Sequence, residues 1–296
     1  MRGLSRREFL RGAAGVAAAI ALPSGSTRAA APRLAGATVS PRAYGVTSYL
    51  DAAHIFDGFV GLPMATALEK VYMAPSSFPS KPPAKMTQLA AAGCQFLVSV
   101  KPSLTMTPSE QSRLSNWLTT LNNAGFSYRV ALFAEANDMG FTRSSWLAYW
   151  QYYAPVIKGA GVSCVYNPGC NNSSFPKALA YFPANPAPDE LWMDYYATSF
   201  RGGTRLEPLI AIAQSAGVPV GLGEWGWSAG PIAFSPMTMP WWNAYCNYLI
   251  NNLANMGKLQ TGGIFFDALG HGNNAGVILT ANDPRIPNVQ RVAGAL

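Results

Sequence analysis

Apolar residues along the chain fall into eight short runs rich in Val, Ile, Leu, Phe and Tyr, each closed by polar or Gly/Pro-rich residues, and these runs predict strands. They cover residues 43–49, 70–74, 95–101, 128–135, 162–167, 190–196, 217–224 and 262–267. Between them the spacing changes to that of helices. Helices are expected over 62–69, 84–92, 107–122, 144–158, 206–216 and 239–256. The third is the clearest: Thr107-Pro108-Ser109-Glu110 is a capping box with proline at the first helical position, followed by Leu114, Trp117, Leu118 and Leu121 on one face. In the fourth, Trp146, Trp150, Tyr153 and Ile157 share a face, with a bend expected at Pro155. Eight strand–helix repeats with no low-complexity linker predict an α/β fold, a single (β/α)8 barrel. The runner-up, a doubly wound open sheet, would normally carry a glycine-rich phosphate loop after an early strand, and the sequence has neither G-x-G-x-x-G nor a Walker A motif.

The N-terminus does not fit this pattern. Ser5-Arg6-Arg7-Glu8-Phe9-Leu10-Arg11, an apolar stretch from Gly12 to Leu22, and Thr27-Arg28-Ala29-Ala30-Ala31 together read as a twin-arginine export signal. The apolar stretch falls short of the roughly 20 residues a membrane span needs, so no stable membrane anchor is expected. The expected organisation is a signal peptide over 1–31, a secreted barrel over 32–296, and a monomer.

Removing the signal changes the charge more than the length. The net charge of +7 includes Arg2, Arg6, Arg7, Arg11, Arg28 and Glu8, and without them 16 basic residues face 13 acidic ones, a net +3. The remaining Lys and Arg are scattered, which disfavours a nucleic-acid partner. Four cysteines lie beyond the signal, and an exported chain meets oxidant, so disulfides are plausible. Cys164 and Cys170, separated by a turn-forming Asn167-Pro168-Gly169, are the expected pair. Cysteine spacing fits no zinc template and the two histidines are His54 and His271, so no metal or cofactor is expected.

Chemistry concentrates at two glutamates. Glu224, in Gly221-Leu-Gly-Glu-Trp-Gly-Trp227, ends the seventh strand between an apolar run and two tryptophans, a costly place for a charge with no task. Glu135 stands at the end of the fourth strand, before Ala136-Asn137-Asp138. In a barrel of this type the C-terminal strand ends converge on one mouth, bringing the two together. Paired carboxylates there can divide the cleavage of a glycosidic bond between a nucleophile and an acid/base. Serine catalysis finds no G-x-S-x-G elbow.

With acidic residues after strands four and seven, the chain resembles the retaining glycoside hydrolases of clan A, the 4/7 superfamily. Phe133-Ala-Glu-Ala-Asn137 matches the acid/base position and Gly223-Glu-Trp-Gly226 the nucleophile, closest in flavour to the β-mannanase-containing family 26. The resemblance implies Glu135 as acid/base, Glu224 as nucleophile, a β-linked polysaccharide or oligosaccharide as partner, and a strand-six tyrosine, Tyr195 or Tyr196, bonded to the nucleophile. One departure stands out: the residue before the acid/base is Asn in many clan members and His in family 26 mannanases, and here it is Ala134. By their place at strand ends or in the loops beyond, Lys101, Asn137, Asn167, Asp267 and His271 are candidate hydroxyl-binding residues, and Trp225 and Trp227 offer stacking faces. The rival reading is a barrel that binds glycan without cutting it.

Overall fold

A computed structural model describes residues 43–47, 67–73, 78, 80–91, 93–226, 239–256, 260–266 and 284–295. By its contacts the chain divides into Met1–Leu34 and Ala35–Leu296, and the described residues all belong to the second unit. Its strands are β1 (Ala43–Thr47), β2 (Ala67–Met73), β3 (Gln95–Val100), β4 (Tyr128–Leu132), β5 (Cys164–Tyr166), β6 (Glu190–Tyr196), β7 (Val220–Gly226) and β8 (Gln260–Phe266). Each pairs in parallel with the next, so β2 to β7 form a continuous six-stranded arc. The ladder between β8 and β1 runs from Ala43 opposite Gly262 to Thr47 opposite Phe266 and closes the sheet on itself. The described helices are α1 (Ala84–Ala91), α2 (Pro108–Asn123), α3 (Arg143–Gly159), α4 (Phe175–Ala180), α5 (Ala197–Arg201), α6 (Glu207–Ser215), α7 (Met239–Met256) and α8 (Ile286–Ala295).

The helix expected over 62–69 is corrected in its last part. Leu68 and Glu69 belong to β2, where they pair with Gln95 and Phe96. Apolar spacing alone does not separate a short strand from a helical turn. Thr107 caps α2 by accepting from the Glu110 amide, while the Glu110 carboxylate turns to Arg113 at 2.6 Å. Pro155 lies inside α3, which continues past it to Gly159.

Alternation along the strands sorts side chains into two sets. Outward residues such as Phe96, Val98, Val130, Leu132, Leu191, Met193, Val220 and Leu222 join one large core with the helices. There α2 buries Leu114, Trp117, Leu118 and Leu121, and α3 buries Trp146, Tyr149, Trp150, Tyr153 and Ile157. Each such side chain is worth about 1.5–3 kcal/mol of burial, and this layer fixes the strand positions.

Inward residues stack in layers. Nearest the N-terminal strand ends, Arg129 donates through Nε to both oxygens of Glu190 at 3.0 and 2.9 Å, with its guanidinium over the Trp192 ring. Above it Leu97, Ala131, Val165 and Trp192 form a small apolar plug. Above the plug the interior turns polar: Lys70, Asn167 and Asp194, then Tyr72, Tyr196 and Glu224. The polar layer thus lies on the C-terminal side of the plug, toward the mouth.

Candidate active site

Glu224 reaches the interior through a fault in the ladder. Val220 and Leu222 point outward, and strict alternation would send Glu224 the same way. Pairing with β6 slips instead: Met193 lies opposite Leu222 and Asp194 opposite Glu224, leaving Gly223 as an extra residue on β7. A bulge of this kind re-aims the side chain that follows it. Only glycine fits there, because a Cβ at residue 223 would sit 2.5 Å from Asn167 Nδ2 and closer still to Asp194 Oδ1.

Once inside, the Glu224 carboxylate is held on both oxygens. Lys70 donates to Oε1 at 2.6 Å, Tyr72 also donates its hydroxyl to Oε1, and Tyr196 donates its hydroxyl to Oε2. Lys70 makes a second ion pair with Asp194 at 3.2 Å, and Asn167 Nδ2 donates to Asp194 Oδ1 at 2.7 Å. Burial alone would raise the Glu224 pKa, but Lys70, Tyr196 and Tyr72 overcome it and hold the carboxyl below its ordinary value. The same two carboxylates outweigh the burial of Lys70 and keep its ammonium charged, with a pKa above the usual lysine value.

Glu135 sits in the turns just past β4. Phe133 and Glu135 both take left-handed backbone angles, φ 51° and 57°, which a side chain adopts at a penalty of about 1–2 kcal/mol. The turn is pinned where the Glu135 amide donates to the Asn167 carbonyl at 2.7 Å. Burial first, then the Glu224 charge, raises the Glu135 pKa from 4.5 to about 7, while Lys70 and Lys101 oppose the rise. One carboxyl is therefore held ionised, while the other, close enough to feel its charge, keeps its proton to near neutrality. Gly169 makes room for the second: a Cβ there would come within 3.0 Å of Glu135 Oε1 and nearer to Asp138 Oδ2.

The other expected site residues divide. Tyr196 reaches Glu224, whereas Tyr195 points outward, donates to the Thr204 carbonyl at 2.8 Å and packs on Tyr245 and Tyr248. Trp225 also points outward and lies parallel to Trp242, fully buried, so it offers no stacking face. Alternation along β6 gives the inside to Tyr196 and the outside to Tyr195, and on β7 the bulge at Gly223 turns Glu224 inward and hence Trp225 outward. Asn137 and Asn167 are buried and committed to the scaffold. Asn137 binds the Gly169 amide and carbonyl, and Asn167 binds the Trp192 carbonyl and Asp194. Lys101 follows β3 directly, lies beside the Phe133 ring and is half-buried. Trp227, Asp267, His54 and His271 lie outside the described residues.

The expected Cys164–Cys170 disulfide is overturned. Cys164 and Cys170 are each free and buried. Val165 pairs with Glu190 and Gly169 with Asp194, four residues along each strand, so the connecting segment is extended rather than turned. At about 3.3 Å per residue the two cysteines stand on the order of 20 Å apart, beyond the ~7 Å Cα reach of a disulfide.

Lys70, Tyr72, Asp138 and Asp194 were not among the sequence candidates. A detectable signal exists for the first two: a lysine two residues before a tyrosine in a short apolar strand puts both on one face. Among the described residues, no group of three His, Cys, Asp or Glu side chains is placed to hold a metal ion.

Residues 3–23 match the twin-arginine translocation pathway signal sequence, so the chain carries the signal of that export route. No described helix is long and apolar enough to cross a membrane. No curated protein matches the chain in sequence. Solved structures do resemble it in fold. The catalytic domain of the family 26 endo-β-1,4-mannanase of Bacillus sp. JAMB-750 aligns at TM-score 0.56 and 13% identity, covering 86% of each chain. The hyperthermostable endo-1,4-β-D-mannanase of Thermotoga petrophila RKU-1 aligns at 0.56 and 12%, covering 86% of this chain and 100% of that one. A family 128 (subgroup II) endo-β-1,3-glucanase of Pseudomonas viridiflava aligns at 0.51 and 13%, covering 85% and 96%. At such identities the likeness is one of fold.

Proposed function

We propose that the protein is an exported retaining glycoside hydrolase on a complete (β/α)8 barrel, cutting a β-linked polysaccharide or oligosaccharide, with Glu224 as nucleophile and Glu135 as acid/base. One observation carries the reading: two carboxyls near enough to act on each other have their pKa values driven apart, Glu224 downward and Glu135 to about 7. Environments that separate two like groups in this way assign the acid and the base. The fold shared with proteins named as mannanases and a glucanase supports the substrate class, and the signal supports export.

In the first step a Glu224 oxygen bonds to the anomeric carbon as the bond to the leaving oxygen breaks, and Glu135 gives that oxygen its proton. In the second, water attacks the same carbon, Glu135 takes the water proton, and the electron pair of the broken ester returns to Glu224. Retention requires a carboxyl separation of about 5–5.5 Å. Oε2, which among the described residues accepts from Tyr196, is the freer oxygen for attack; Oε1 already holds Lys70 and Tyr72. Signal removal near Ala29–Ala31 would leave the barrel from residue 32. The family 26 relation extends the reading to mannans, although Ala134 is buried where those enzymes carry a sugar-binding histidine.

The test is reducing-end release by the chain lacking residues 1–31, over mannans, xylans, β-1,4- and β-1,3-glucans and arabinans, with Glu224→Ala alongside. Release by the wild type alone supports the reading and names the sugar. Glycan binding without release would favour a non-catalytic barrel.

A further inference from the structure

Lys70 places one ammonium between two carboxylates. Its Nζ lies 2.6 Å from Glu224 Oε1 and 3.2 and 3.4 Å from the two oxygens of Asp194, and its side chain is wholly buried. A buried cation stripped of its partner costs several kcal/mol, so such charges stay paired. The proposed reaction consumes the Glu224 charge when the ester forms. A Lys70 serving Glu224 alone would then be stranded beneath the mouth, 0% exposed, with no water to replace the lost anion.

Asp194 is built to be the alternative. It is fixed on β6 opposite Glu224, anchored by Asn167, and given space by Gly223, where any side chain would displace it. Other titratable groups that act on this cluster, among the described residues, are Tyr72 from β2, Glu135 from the turn after β4, Cys170 after β5 and Tyr196 from β6. Of these Glu135 alone is a carboxyl; Asp138 from the same turns and Lys101 just after β3 act on it in turn.

We propose that Lys70 is a counter-ion shared between two carboxylates, partnered by Glu224 in the free protein and by Asp194 whenever Glu224 is uncharged. Lys70 and Asp194 are then positioning residues, keeping the site electrically balanced while Glu224 gives up and regains its charge. The electrostatics agree in sign. Burial and then the Glu224 charge hold the Asp194 pKa well above the ordinary carboxylate value despite Lys70, so loss of the Glu224 charge makes Asp194 the stronger acid and the better partner. The role in turnover rests on the glycosidase reading; the sharing of the ammonium does not.

The experiment is a carboxyl titration by NMR of the chain lacking residues 1–31 and labelled with 13C at Asp and Glu side chains, with Asp194 assigned through Asp194→Asn and Glu224 through Glu224→Gln. Glu224→Gln is expected to lower the Asp194 midpoint by more than about one pH unit, a tenfold change in acidity. Lys70→Met should raise the Glu224 midpoint, and Lys70→Arg should restore most of it. An Asp194 midpoint equal in wild type and Glu224→Gln would overturn the proposal, as would a Glu224 midpoint indifferent to Lys70→Met. Should Lys70→Met not fold, Glu224→Gln and Lys70→Arg, which keep the cation, still decide the matter. No substrate enters the titration, so silence on the polysaccharide panel would end the glycosidase reading without touching this one.

Discussion

Replacing Glu135 by Gln is expected to stabilise the protein at alkaline pH and leave it unchanged at acid pH. In the folded chain the Glu135 pKa is raised from 4.5 to about 7, by burial first and then by the Glu224 charge. A folded-state pKa above the unfolded one means that the protonated form is the one folding favours. Its contribution is intact below about pH 4.5, drains away as pH climbs toward 7, and is wholly lost above that. Glutamine is neutral throughout and does not suffer this loss. The interval from 4.5 to about 7 corresponds to on the order of 3 kcal/mol at about 1.4 kcal/mol per pH unit. Because the residue is part-exposed at the mouth, about 1–3 kcal/mol is the expected gain at pH 8. For a domain of this size that is roughly 3–9 °C in melting temperature. Thermal unfolding of wild type and Glu135→Gln at pH 4 and pH 8 reads it directly. Equal gaps at both pH values would refute the claim that Glu135 is held protonated, and with it the assignment of the acid.

Three further outcomes are expected. Gly223→Ala should cost about 2–4 kcal/mol, because its Cβ forces apart the buried Asn167–Asp194 bond, whereas Gly159→Ala, with open space around it, should be neutral or slightly stabilising; urea unfolding of both compares them. Turnover should fall above about pH 7 as Glu135 loses its proton, and on the acid side only below the ordinary carboxylate range, with Tyr196→Phe moving that acid limb upward in a pH–rate profile. Reducing agent should leave the melting temperature unchanged, since Cys164 and Cys170 stand at opposite ends of an extended segment; a fall of several degrees would mean a disulfide exists.

Much of this architecture is legible in the apolar runs, because a buried parallel strand is short, branched and closed by polar residues. The two glutamates are legible for the same reason: each interrupts an apolar pattern at a strand end. What eludes sequence reading is orientation. Tyr195 and Tyr196 look equivalent as letters, and only counting back through Asp194, Trp192 and Glu190 gives the inside to Tyr196. For Trp225 counting along β7 itself fails, since the bulge at Gly223 inverts the alternation between Leu222 and Glu224, and a bulge is a property of two strands together. Lys70 and Asp194 escape notice because their meaning lies in a contact across 124 positions of sequence. Cys164 and Cys170 mislead in the opposite direction: Asn-Pro-Gly reads as a turn, yet pairing with β6 draws it out straight.

The central claim is that Glu224 forms a covalent bond to sugar. The direct measurement is the mass of peptides from the chain lacking residues 1–31 after incubation with 2-deoxy-2-fluoro glycosides of the sugars its substrate panel identifies. A glycosyl increment on the peptide containing Glu224, absent from Glu224→Ala, is the expected result. Turnover of substrate with no such increment, or with the sugar on another residue, would contradict the account.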